Sequence, residues 1–313
     1  MTNVSGNSWL SRLPIPGGMK GVMTLLGLWT GVVLLFLYLP IIVLVAFSFN
    51  ARENNVVWKG FSTAWYTAFF TQDSKALEDV VGNMSPIKSE SGRANRAKAI
   101  VSTVPKLRES ISNSAIIAVA STAISVVLGT GGAWLIHRYR YRFHQAINTL
   151  VAVPMIVPEI IMGVSLLVFF VTAGIQLGYT SMILAHVTFC FPYVLITVQA
   201  RLAGLDPSLE EAAMDLGATP AQAFRLVILP YLWPGVISGA LMAMTLSLDD
   251  FVVTYFCKGE GINTLPIEVY NSVRRPTPML NVVSTLLVIG TMILVLLAEF
   301  FKRRSAVQMV SPR

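Results

Sequence analysis

Long uncharged runs separated by short polar clusters organise the chain. Gly21–Ala51 is a run of 31 residues without a charged side chain, against the roughly 20 apolar residues that carry a helix across a bilayer. Ile111–Ile136 and Pro276–Ala298 are similar runs of 26 and 23 residues. Between Phe143 and Ala200 the single formal charge is Glu159, and 58 residues are too many for one crossing. Gly174-Ile-Gln-Leu-Gly178 divides this stretch, because its glycines and amide suit a turn at a membrane surface. A further run begins near Tyr231 and passes Asp249 and Asp250 to about Phe256. The pattern predicts an all-α integral membrane protein of six spans, at about 21–49, 111–136, 146–172, 180–199, 231–256 and 277–300. An outer loop falls at 50–110, a polar loop at 201–230, and tails at 1–20 and 303–313.

Composition agrees: 12% of the residues are charged and 54% hydrophobic, which excludes a disordered or nucleic-acid-coating chain despite a net charge of +7. The cations mark orientation, since cytoplasmic segments retain Lys and Arg. With both termini inside, the inner flanks hold eleven, including Arg12, Lys20, Arg138, Arg140, Arg142, Arg201, Arg225 and the cluster Lys302-Arg-Arg304 with Arg313. The short outer loops hold Lys258, Arg274 and Arg275. Both termini are therefore expected in the cytoplasm. The first run is about twice the length of a signal-peptide core, so it reads as a span. Cys190 and Cys257 lie in different spans and suggest neither a disulfide framework nor a metal motif.

The polar loop carries the most specific signal. Asp206-Pro207 opens a short helix and Gly217 ends it, while Thr219-Pro220-Ala-Gln222 forms a capping box for a second helix. The result is helix, turn, helix, with an acidic face at Glu210, Glu211 and Asp215. Alone, such a pair could be a DNA-binding helix-turn-helix. Its second helix has only Arg225 as a cation and four acids precede it, so phosphate contact would be repelled.

Glu211-Ala212-Ala213-x-x-x-Gly217, nine residues, then Val227-Ile-Leu229-Pro230 resembles the EAA loop of ABC-importer permeases, with Val227 where Ile is usual. The resemblance covers roughly 21–75 and 110–302. It is nearest to the second permease of spermidine/putrescine-type importers, through Gly60-Phe-Ser-Thr-Ala-Trp65-Tyr66, Pro154-Met-Ile-Val-Pro158-Glu159, His186-Val-Thr-Phe-Cys-Phe-Pro192 and Thr245-Leu-Ser-Leu-Asp249-Asp250. It implies a type I ABC importer permease fold in a bacterial inner membrane, with 201–230 as a coupling loop. Glu210, Glu211, Ala212, Ala213, Asp215 and Gly217 would dock on a separate ATPase. The implied partners are a second, non-identical permease, two ATPase subunits using ATP and Mg, an extracytoplasmic substrate-binding protein and membrane lipid, without nucleic acid. This chain itself would bind no cofactor.

Its own residues agree with a non-enzymatic role. Gly129-Thr-Gly-Gly132 lacks the lysine of a nucleotide-binding loop, and His137, His144 and His186 show no ligand spacing and no triad. Glu159, Asp249 and Asp250 remain, each costing on the order of 2.5–3.5 kcal/mol at mid-span, and so are expected to face a watery path or a partner. Glu159 follows Pro154-x-x-x-Pro158, which suits the start of a half-helix. On one helix Asp249 and Asp250 point about 100° apart, and Ser247 and Thr254 lie on the Asp250 side. Asp250, Asp249 and Glu159 are thus the expected substrate path of a small cation, a polyamine of the spermidine/putrescine kind by the resemblance, with Asp250 first and Asp249 more often a packing or inter-subunit hydrogen-bond group. The segment 72–108 reads as a solvated outer loop or an added partner contact, and Trp65, Tyr66, Phe69 and Phe70 as an interfacial aromatic belt. An ion-gradient-driven transporter, or an ABC importer for another solute, would share the buried acids; a self-contained transporter has no need of the EAA spacing.

Overall fold

A computed structural model describes residues 18–52, 57–82, 89–139, 144–272 and 278–310. Among them no strand forms; one isolated bridge pairs Asn50 with Phe61. The helices are α1 (Gly18–Ser48), α2 (Ala64–Thr71), α3 (Lys75–Gly82), α4 (Glu90–Val101), α5 (Val104–Arg138), α6 (His144–Ile156), α7 (Glu159–Thr172) and α8 (Tyr179–Leu202). They continue with α9 (Ser208–Asp215), α10 (Pro220–Ala223), a π-helical turn (Phe224–Ile228), α11 (Leu229–Asp249), α12 (Val252–Cys257), α13 (Leu265–Ser272) and α14 (Pro278–Val310). Five helices among the described residues are long and apolar enough to cross a membrane, or six if α6 and α7 count as one bent span. Of the orientation charges, Arg12, Arg140, Arg142, Arg274, Arg275 and Arg313 lie outside the described residues.

The centre is α5, α8 and α11, packed on one another around Ile117, Ala185, Val194, Val198, Leu232 and Val236. In lipid, water cannot drive helices together, so close van der Waals approach has to do it, and small residues permit that approach. At Gly129 a Cβ would stand 2.8 Å from Val194 Cβ and 3.0 Å from the Leu195 nitrogen. At Gly239, on the other side of Val194, it would stand 3.1 Å from Val194 Cα. Val194 is thereby gripped between two neighbouring helices. α1 is different: its apolar side chains are almost wholly exposed and it packs against α14, as a lipid-facing helix would.

Three expectations change. The expected span at 146–172 is two helices bent by 105°. Pro158, extended at φ −56°, ψ 134°, has no N–H to continue α6 and disfavours a helical Val157 before it. The expected span at 231–256 is also broken, at Asp250 (ψ 124°), so Asp249 and Asp250 do not share one continuous helix. The outer loop at 50–110 is largely helical, and α5 begins seven residues before the expected span.

The α2–α4 layer has its own core of Trp65, Phe69, Leu77, Val81, Ala97, Ile100 and Val104 against Leu265, Met279 and Val283. Trp65 and Phe69 are therefore core residues and not a surface belt; Phe70 stays exposed. The Trp65 indole donates to Asn50 O at 2.9 Å, and Arg108 donates to Phe69 O and Phe70 O at 2.8 and 2.9 Å, closing the end of α2. Bulk at Gly129 tests the central packing. Gly129→Ala should destabilise the isolated chain in detergent by about 1–3 kcal/mol through overpacking. Gly131→Ala, where a Cβ would meet nothing within 4 Å, should be neutral or slightly stabilising. Thermal unfolding of both variants checks this, and equal melting temperatures would refute the grip on Val194.

Candidate functional site

Two places gather the residues singled out by the sequence. The first is the α9–α10 loop. Asp206 Oδ1 accepts from Ser208 N–H at 3.0 Å, and the bonds from Ser208 hold the Asp206 carboxyl below the usual carboxylate range. At the other end of α9, Gly217 takes φ +89°; its N–H donates to Met214 O at 2.9 Å and that of Ala218 to Ala213 O at 3.1 Å. This pair of bonds satisfies the last carbonyls of the helix. Thr219 and Gln222 cap each other reciprocally, at 2.8 and 3.3 Å.

Pro230 then explains the π-turn. It has no N–H for the Leu226 carbonyl and its ring would crowd that oxygen, so the backbone widens and Leu229 N–H donates to Phe224 O. The loop is tied to the bundle by charge: Arg138, at the end of α5, forms an ion pair with half-buried Glu210. Arg138 also lies over the Trp134 ring at 5.9 Å. Glu211, Ala212, Asp215 and Gly217 are exposed, Ala213 is half-buried, and Leu216 beside them is 90% exposed. The acidic face thus divides into one anchoring residue, Glu210, and an open surface.

The second place is a cavity of about 320 Å³ where the two helix breaks meet. Glu159, Asp249 and Asp250 all line it, with Phe189, Tyr193 and Phe251. Glu159 is exposed in the first turn of α7, where its charge complements the helix dipole. Asp249 is exposed at the end of α11, whereas Asp250 is buried, with 9% of its surface accessible. Asp250 Oδ2 accepts from Thr254 N–H at 2.8 Å and from the Thr254 hydroxyl at 2.7 Å; Oδ1 accepts from Val253 N–H at 3.3 Å. It takes two of the free backbone donors at the start of α12. Asp250, expected first on the path, is therefore the buried one of the two and Asp249 the exposed one, because the helix breaks between them, and both line the cavity.

His186 was not legible as a site residue. Its ring is 1% exposed, with Nδ1 2.6 Å from Ser247 Oγ and Nε2 2.8 Å from Thr254 Oγ1. The local signal for it is an ionisable ring inside an uncharged run, which a count of formal charge does not contain because neutral histidine carries none. Cys190 and Cys257 are free thiols, and no cluster suited to a metal occurs among the described residues.

The sequence profile of the family described as binding-protein-dependent transport system inner membrane component matches residues 121–307. The chain belongs to this family. Among its relatives, the spermidine/putrescine transport system permease protein PotC of Haemophilus influenzae is 36% identical over 88% of this chain and 95% of that protein. PotC of Escherichia coli K12 is 33% identical over 86% and 90%, and the putrescine transport system permease protein PotI of the same strain is 35% identical over 90% and 93%. Among solved structures, the inward-facing MetNI methionine ABC transporter aligns with a TM-score of 0.54 at 20% identity, over 64% of this chain and 95% of that one. An amino acid ABC transporter with histidines aligns at 0.50 and 19%, over 66% and 97%.

This inner-membrane component is a multi-pass permease subunit of an ABC importer with the type I permease fold, and it works with a separate ATPase and a substrate-binding protein. The permease's profile match begins within α5, so it contains the α9–α10 loop, the three carboxylates and His186, and leaves out α1–α4. The Arg138–Glu210 pair can be tested as a unit. Arg138→Ala and Glu210→Ala should each destabilise the α9 attachment by about 1.5–3 kcal/mol, and the double variant by little more than either alone. Thermal unfolding together with limited proteolysis of the loop measures this; additive losses would show that the pair does not act together.

Proposed function

We propose that this permease carries a small cation of the polyamine class from its binding protein to the cytoplasm, through the cavity that holds Glu159, Asp249 and Asp250. The convergence of three carboxylates from two separate helix breaks carries the reading. A dication such as putrescine suits such a lining electrostatically, and relatives at 33–36% identity bear the names of spermidine and putrescine permeases. Of the three acids, exposed Asp249 and Glu159 are the ones open to a solute, while Asp250 serves mainly the backbone of α12.

In this reading both termini and the α9–α10 loop lie in the cytoplasm, as the distribution of Lys and Arg favours. Glu211, Ala212, Ala213, Asp215 and Gly217 form the surface presented to the ATPase, and Glu210 fastens that surface to α5. The assembly comprises this chain, a second non-identical permease and two ATPase subunits that use ATP and Mg, with the binding protein on the outer side. Closure of the ATPases is passed to α5 through Arg138 and to α11 through the π-turn.

Vesicles reconstituted with all subunits test the reading. Putrescine uptake should require ATP and loaded binding protein; uptake driven by an ion gradient alone would overturn it. Asp249→Asn should lower uptake about tenfold or more, the scale of one hydrogen bond to a charged group. Asp250→Asn should act mainly on thermal stability. Full uptake by Asp249→Asn would reject the path. Glu211→Lys should leave the protein inserted and weaken ATPase docking, and normal stimulated hydrolysis would reject that contact.

A further inference from the structure

Four helices meet in one buried polar chain beside the cavity. Ser121 of α5 lies 3.1 Å from Ser247 of α11, Ser247 lies 2.6 Å from Nδ1 of His186 on α8, and Nε2 lies 2.8 Å from Thr254 of α12. Thr254 in turn reaches Asp250 Oδ2 at 2.7 Å. All five residues are buried. The direction of the bonds follows from chemistry. An ionised carboxylate only accepts, so the Thr254 hydroxyl donates to Asp250 and its oxygen accepts from Nε2–H. A neutral ring with its proton on Nε2 then accepts at Nδ1 from the Ser247 hydroxyl, and every member from Ser247 to Asp250 is satisfied.

His186 also decides where the Thr254 hydroxyl points. That hydroxyl has a second acceptor available, the Asp250 carbonyl at 3.4 Å. With Nε2–H occupying one lone pair of Thr254, the hydroxyl proton is directed to the carboxylate. Without it, the hydroxyl can turn to the carbonyl, and Oδ2, which also loses the ring nitrogen 3.5 Å away, is left with the Thr254 N–H alone; Asp250 lines the cavity beside Asp249. We propose that His186 is a positioning residue that keeps the Asp250 carboxylate turned onto α12, so that Asp249 and Glu159 are the open charges met by a passing cation. Loss of this restraint leaves the Asp250 carboxylate held by the Val253 and Thr254 N–H groups alone, a less neutralised charge at the cavity wall that holds a dication longer and slows its release.

The inference rests on the cavity being the path, and the experiment separates the two. Complete transporter in vesicles, with saturating loaded binding protein, is assayed for both putrescine uptake and ATP hydrolysis. His186→Leu should lower uptake about tenfold while stimulated hydrolysis stays within about twofold, and His186→Gln, whose amide can donate to Thr254, should recover most of the uptake. Thr254→Val should reproduce the His186→Leu defect and Thr254→Ser should not, a pair that decides the matter if His186→Leu fails to insert. The double variant His186→Leu with Thr254→Val should be no worse than either alone. Uptake and hydrolysis lost together in both His186→Leu and Thr254→Val, or recovery absent in both His186→Gln and Thr254→Ser, would overturn the positioning role. Normal uptake by His186→Leu and Thr254→Val beside a defective Asp249→Asn would overturn it while leaving the path intact. Normal uptake by Asp249→Asn would instead reject the path.

Discussion

A helix broken inside an apolar slab leaves backbone N–H groups that no water can reach, and each must find an acceptor within the protein. The break between α11 and α12 meets this demand with the Asp250 carboxylate, which takes the N–H groups of Val253 and Thr254. Much of the local arrangement depends on it. Asp250 is extended, Asp249 is left exposed at the end of α11, and α12 runs against α7 and α8. The second break, at Pro158, borders the same cavity and brings Glu159 to it. A proline makes one break tolerable by removing a donor; a carboxylate makes the other tolerable by supplying an acceptor.

The remaining helices hold these two breaks in register. Val194 lies between Gly129 and Gly239, which fixes α8 against α5 and α11 at close range. At the α9 end the same helices are fastened again: Arg201 of α8 lies 4.6 Å above the Tyr231 ring, and the Tyr231 hydroxyl donates to Gly204 O. Arg138 ties α9 to α5, and the π-turn joins α10 to α11 without a break. The helices that receive the loop therefore also carry Ser121 and Ser247 of the polar chain. The α2–α4 layer lies at the opposite end of α5, a helix of 35 residues and so roughly 50 Å long.

How much of this could be read beforehand depended on the range of the cause. Spans follow from local hydropathy, and the caps of α9 and α10 follow from side chains within three residues of the backbone they serve: Asp206 to Ser208, Thr219 to Gln222. Gly217 follows from the absence of a Cβ. Trp65 and Phe69 went the other way, since an aromatic run beside a span looks the same at an interface as in a core until Leu265 and Met279, some two hundred residues on, cover it. His186 is similar: its partners are 61 and 68 residues away, and nothing near it in the chain announces them.

The sequence by itself determined that the protein is a helical membrane protein with a capped, acidic loop, because apolar length and capping chemistry act over a few residues. It also determined that three acids would need an explanation, because charge is costly in lipid wherever the chain goes. Only the tertiary structure decided that the acids share one cavity, that Asp250 serves the backbone while Asp249 stays open, and that Glu210 anchors while Glu211 is presented. Those outcomes turn on which helices break and which side chains meet across them, and such contacts are made between residues far apart in the chain.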